Sequence, residues 1–75
     1  MNIIIITNPN EVDKKAQQAA LSNPNVTIEE RVVRFNNKRI AHYVLLPNGV
    51  EITVTDRPWY ISEKLIEARL RALFD

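Results

Sequence analysis

From Val26 to Thr55 the chain reads as β-structure broken at two places, and this stretch constrains the fold more than any other part of the sequence. Val26 to Phe35, Lys38 to Leu46 and Val50 to Thr55 are rich in β-branched and aromatic residues, the side chains that fit a pleated, half-buried surface. Asn36-Asn37 and Pro47-Asn48-Gly49 separate them. Both suit tight hairpin turns because asparagine and glycine tolerate positive φ, and Asn48-Gly49 is the stronger signal. A three-stranded antiparallel meander follows.

With two-residue loops at Asn36-Asn37 and Asn48-Gly49, register follows by counting, and a slip of one residue would exchange the two faces. One face carries Val26, Ile28, Val32, Ala41, Tyr43, Leu45, Val50, Ile52 and Val54, with Glu30 opposite Tyr43. This is the expected core face. The other carries Val33, Phe35, Ile40, Val44 and Leu46 as an apolar patch rimmed by Glu29, Arg31, Glu51 and Thr53. A contiguous apolar patch on a small protein marks an interface unless another element covers it.

The flanking segments complete the fold. Ile3 to Ile6 lacks alternation and reads as a strand covered on both faces, inside a sheet or an interface. Asn8 can cap a helix, with Pro9 at its first position and Glu11 three residues after the cap. That helix should reach about Ser22, bury Val12, Ala16, Ala19 and Ala20, and end at Asn23-Pro24-Asn25. The last segment opens at Asp56-Arg57-Pro58 and carries Ile61, Leu65, Ala68 and Ala72 as a helical stripe, with Ile66 and Leu73 beside it. Glu67 and Arg71 form an i, i+4 pair on its solvent side. Leu70 and Phe74 fall off the stripe and are expected at the surface, where they would favour docking. Trp59 and Tyr60 are expected to close the core at the helix start.

The sum is a single α+β domain over residues 1–75, in the order β-α-β-β-β-α. It is a two-layer sandwich: an antiparallel three-stranded meander plus an N-terminal strand, with the helices packed on one face. The α-β-β-β-α order after the first strand resembles double-stranded-RNA-binding domains in topology, but Ser62 to Arg69 lacks their lysine cluster.

Composition narrows the function classes. A chain of 75 residues buries only about 60 to 65% of its unfolded surface, so a second chain would add to a marginal core. No cysteine is present, so neither a disulfide nor a Cys-based zinc site staples the fold, and no metal or small-molecule cofactor is expected. Gly49 is the only glycine, which disfavours phosphate-cradling loops. No HExxH occurs, and neither Ser22 nor Ser62 sits in a nucleophile elbow. No apolar run approaches the roughly 20 residues of a membrane span or the core of a signal peptide, so the expected location is the cytoplasm, without membrane partners.

Three functional readings remain. The first is a non-enzymatic adaptor or inhibitor, with no catalytic residues, that binds another protein or itself as a homodimer through Val33, Phe35, Ile40, Val44, Leu46, Leu70 and Phe74. The second is a module binding DNA or RNA. Although the net charge is only +1, Arg31, Arg34, Lys38 and Arg39 cluster around Phe35, with His42 nearby, and a basic ribbon with an aromatic can enter a groove or stack on a base. The third is a small metal-free ribonuclease centred on His42, with Arg31 and Thr55 on either side and Glu29 diagonal to it.

Overall fold

In the computed structural model, which describes residues 1–57 and 59–74, five strands and two helices follow one another along the chain. The strands are β1 (Asn2–Ile6), β2 (Val26–Glu29), β3 (Val32–Phe35), β4 (Lys38–Leu46) and β5 (Gly49–Val54). The helices are α1 (Pro9–Ser22) and α2 (Glu63–Phe74). One antiparallel sheet in the order β1-β5-β4-β3-β2 forms the first layer, and both helices lie against it as the second. The α+β sandwich is as expected. Its meander has four strands, not three, and so departs from the α-β-β-β-α order.

Local chemistry sets α1 as the sequence predicts. The Asn8 side chain accepts a hydrogen bond from the Asn10 N–H at 3.0 Å, Pro9 fills the first turn, and the helix buries Val12 and Ala16. Asn23 closes it, its N–H donating to the Ala20 carbonyl.

The extra hairpin comes from a turn at Glu30-Arg31, whose φ angles are 50° and 63°. Neither residue is a favoured left-handed type. The turn pairs Ile28 with Val33 and Val26 with Phe35, which corrects the face assignment. Val33 is buried, Phe35 packs against the core, and Val32 lies on the opposite face between Glu29 and His42. A bulge then follows: Val33 pairs with Ala41 but Arg34 with Arg39, leaving Ile40 as the extra residue, buried in the core. Turn and bulge each shift parity by one. They cancel, so Ala41, Tyr43, Leu45, Val50, Ile52 and Val54 face the core or pack against it as expected.

The β4–β5 turn is Pro47-Asn48, because Leu46 pairs with Gly49. His42 therefore faces Thr53 rather than Thr55, a shift of two that preserves the faces. Gly49 does not have positive φ. Its role is close approach, since a Cβ there would run into the Ile5 carbonyl and the backbone of Ile6.

Three further expectations are corrected. β1 is an edge strand paired only with β5; Ile3 and Ile5 are buried, whereas Ile4 and Ile6 point to solvent. α2 is rotated about one residue from the expected phase: Ile66, Leu70 and Phe74 are buried, while Leu65, Ala68 and Ala72 are exposed. The larger side chains win because buried apolar area sets the gain, and the Phe74 ring meets Tyr43 edge-on at 4.9 Å. Leu70 and Phe74 are thus buried in the core rather than at the surface as expected. Trp59 is 90% exposed and stacks edge-on against exposed Tyr60 at 5.7 Å rather than closing the core. Pro58, expected at the opening of this segment, lies outside the described residues. Among the described residues no helix is long and apolar enough to cross a membrane.

Candidate functional site

Period-two alternation sends half of each strand's side chains to the face opposite the helices. On that outer face, strand pairing sets three rows. Ile6 and Leu46 flank Gly49; Ile4 and Val44 flank Glu51; and Asn2, Thr53, His42, Val32 and Glu29 form the third. Gly49 contributes no side chain to this face, so Ile6 and Leu46 stand on either side of bare backbone. Ile4, Ile6 and Val44 are 53%, 73% and 51% exposed, and Leu46 is half-buried. These four aliphatics form two apolar pairs at one corner of the face, on β1 and β4, with Glu51 and Gly49 of β5 between them.

The expected patch is therefore partly displaced. Val44 and Leu46 belong to it, whereas Val33, Phe35 and Ile40 turn inward. Ile4 and Ile6 take their place. An unbroken isoleucine run hides which members face out, so the sequence signal for them is only that one strand in a two-layer sheet must have an outer side.

The opposite corner is basic. Arg34 and Arg39 stand directly across from each other, and neither has an ion pair among the described residues. Like charges in such a pair repel. The rest of the expected basic cluster is dispersed. Lys38 pairs with Asp56 at 3.3 Å, and Phe35 is half-buried against the core, on the face opposite Arg34 and Arg39.

Arg31 is held by α1. Its guanidinium donates to both carboxylate oxygens of Asp13, at 3.3 and 3.0 Å, and the buried Tyr43 hydroxyl donates to the same carboxylate at 2.6 Å. The Arg31 hydrogen bond, then that from Tyr43, holds the Asp13 carboxyl below its ordinary value of 3.8. Burial first, and the carboxylate second, raise the Tyr43 phenol above 10.0. This cluster clamps the Glu30-Arg31 turn onto α1, and the Tyr43 N–H reinforces it by donating to the Arg31 carbonyl at 3.0 Å. Asp13 gave no signal in the sequence, since its partners are 18 and 30 residues away.

The clamp removes Arg31 from His42. Glu29 is separated from His42 by Val32, and Thr55 is bonded through its N–H to the Ile40 carbonyl. An acid, a base and a cation are thus not gathered at one point. The His42 Nδ1 is buried without a hydrogen-bond partner among the described residues. No group of three potential metal ligands occurs among them.

On the helix side, a cleft of about 420 Å³ opens between the end of α1, α2 and the core face of β3 and β4. Val33, Phe35, Ile40, Ile61 and Leu73 line it, with Arg69 and Asn25 among its few polar residues. It is of ligand-pocket size but has no convergent set of titratable groups. No protein-family model, curated protein or solved structure matches the chain.

Proposed function

We propose that this chain is a non-enzymatic protein–protein interaction module acting through the uncovered outer face of its sheet. The observation that carries the reading is the aliphatic corner made by Ile4, Ile6, Val44 and Leu46, on a face that neither helix covers. Exposed aliphatics on a small sheet are costly in water and become favourable when another protein covers them. Thr53 and Asn2 beside them supply a polar rim, and Glu51 stands between Ile4 and Val44 as a charge that a partner must match.

A second reading, binding of an extended nucleic acid, is favoured only by Arg34 and Arg39, which have no ion pair among the described residues. Phosphates would relieve their repulsion, but two cations give a small footprint.

Amide chemical-shift mapping separates the two. Under the first reading, shifts at Ile4, Ile6 and Val44 depend on protein concentration or on an added protein partner, and mixed DNA and RNA oligonucleotides leave the spectrum unchanged at low salt. Oligonucleotide-induced shifts centred on Arg34 and Arg39, with a concentration-independent outer face, would overturn it in favour of the second.

A further inference from the structure

The hydrogen bonds at the two ends of β1 reveal which of its backbone groups are free. The Val54 N–H donates to the Met1 carbonyl at 2.8 Å, and the Thr7 N–H donates to the Asn48 carbonyl at 3.1 Å. Both contacts fall on the odd-numbered residues that flank β1, in the register that pairs Ile3 with Ile52 and Ile5 with Val50. Backbone groups of an antiparallel strand alternate between its two neighbours. The N–H and C=O of Asn2, Ile4 and Ile6 therefore point away from β5 into the open edge, and none has a hydrogen bond among the described residues. β1 also contains no charge, no proline and no bulge, three of the usual edge protections.

We propose that the β1 edge pairs with the β1 edge of a second copy of this chain, antiparallel about a two-fold axis at Ile4, giving a continuous ten-stranded sheet. This goes beyond the reading of the outer sheet face as a protein-docking surface, since edge pairing leaves Val44 and Leu46 uncovered. In this register Asn2 meets Ile6 of the other copy, Ile4 meets Ile4, and Ile6 meets Asn2. Each residue then exchanges both of its bonds, so all the outward groups, three N–H and three C=O per copy, are satisfied at once. A pairing displaced by two residues along the strand leaves groups at both ends bare. The strand side chains are uncharged and the backbone is already extended in each copy, so pairing meets no repulsion between them and little backbone ordering cost. A two-fold axis perpendicular to the sheet keeps the outer faces on one side. Ile4 of each copy then covers the other, and the two aliphatic corners join into one strip at the centre of the dimer.

The test combines light scattering with amide hydrogen exchange on the purified chain at micromolar to millimolar concentration. The expected mass is twice the 8.7 kDa of one chain, independent of salt, with the Ile4 and Ile6 amides gaining protection as the dimer forms. Ile4→Pro removes only an outward N–H from the backbone pairing, so it is expected to return the mass to one chain while the helix signal in circular dichroism stays. Ile4→Lys places like charges on the axis and should do the same if the proline variant does not fold. Leu21→Glu, on the exposed side of α1 and outside both the edge and the outer face, should leave the dimer intact. If Ile4→Pro stays dimeric and Val44→Glu becomes monomeric, the edge inference falls while the outer-face reading stands. A wild-type chain that is monomeric at every concentration also overturns it, including the case in which an added extended peptide protects the Ile4 and Ile6 amides. If, in addition, the outer-face amides respond to no protein and Arg34 and Arg39 respond to oligonucleotides, both readings fall.

Discussion

The two edges of the sheet are built on opposite principles. β2 is short, is preceded by Pro24 and runs into Glu29 and Glu30. The Asn25 carbonyl accepts from Asn36 in the β2–β3 hairpin, so the outward groups of β2 belong to Val26 and Ile28. The Val26 N–H donates to the Asn23 carbonyl at 2.9 Å, and the Ile28 carbonyl accepts from Gln17 Nε2 at 3.1 Å. α1 thus ties down one edge with a side chain and with its closing loop. At β1 neither helix does so, although the strand is longer and its side chains more apolar. A free strand edge is a template for pairing, so protecting one and leaving the other bare gives the sheet a direction in which to grow.

The largest expected effect comes from Gly49, which allows β1 to approach β5 at all. Gly49→Val places a branched side chain against the Ile5 backbone carbonyl and should cost about 3 kcal/mol in chemical denaturation, as strong overpacking does. Ile3 and Ile5 amides should lose exchange protection before those of β3 and β4, which would detach the bare edge and leave the protected one.

Asp13→Ala attacks the other side. It strips the Tyr43 hydroxyl of its charged acceptor and should cost about 1 kcal/mol at neutral pH, since the exposed ion pair to Arg31 adds little. The difference between wild type and variant should follow the sign of the shifts. Asp13 titrates lower in the folded state, so its contribution is complete above the ordinary 3.8 and disappears as pH falls through the folded value. Tyr43 titrates higher in the folded state, so its share is complete below 10.0 and is lost as pH rises through the folded value. Thermal melts from acid to alkaline pH would check both limbs.

Gln17→Ala should lower stability by about 0.5 to 1 kcal/mol by baring the Ile28 carbonyl. It should also make β2 more like β1, which increased self-association in light scattering would reveal. The smallest effect should be a gain. Glu30→Asn puts a residue tolerant of positive φ at the first turn position and should add about 0.5 kcal/mol. If it does not, the turn is held by the Asp13 clamp so firmly that its local preference no longer matters.

The break at Glu30-Arg31 did have a trace in the sequence. Glu29, Glu30 and Arg31 are three charges in a row inside a β-rich stretch, and a strand with one buried face has no place for three. The dipeptide lacks the asparagine or glycine that marks a tight turn, so reading Val26 to Phe35 as one strand moved Val33 and Phe35 to the wrong face. For the candidate site this was decisive: Val26 and Ile28 before the turn and Val44 and Leu46 beyond the compensating bulge lie on the expected faces, while Val32, Val33, Phe35 and Ile40 between them do not.

What the sequence by itself determined is local or strictly periodic. The cap and proline at Asn8 and Pro9 start α1, the alternation from Ala41 to Val54 places the middle of the sheet, and Glu67 and Arg71 meet at 2.9 Å across one helical turn. Only the tertiary structure decided the phase of α2, the turn at Glu30-Arg31 and the position of β1 at an edge. Each depends on a partner far along the chain: Tyr43 for Phe74, Asp13 for Arg31, and β5 as the single neighbour of β1. Four isoleucines specify a strand by the shape of their side chains, but whether its second edge is paired is a property of what lies beside it.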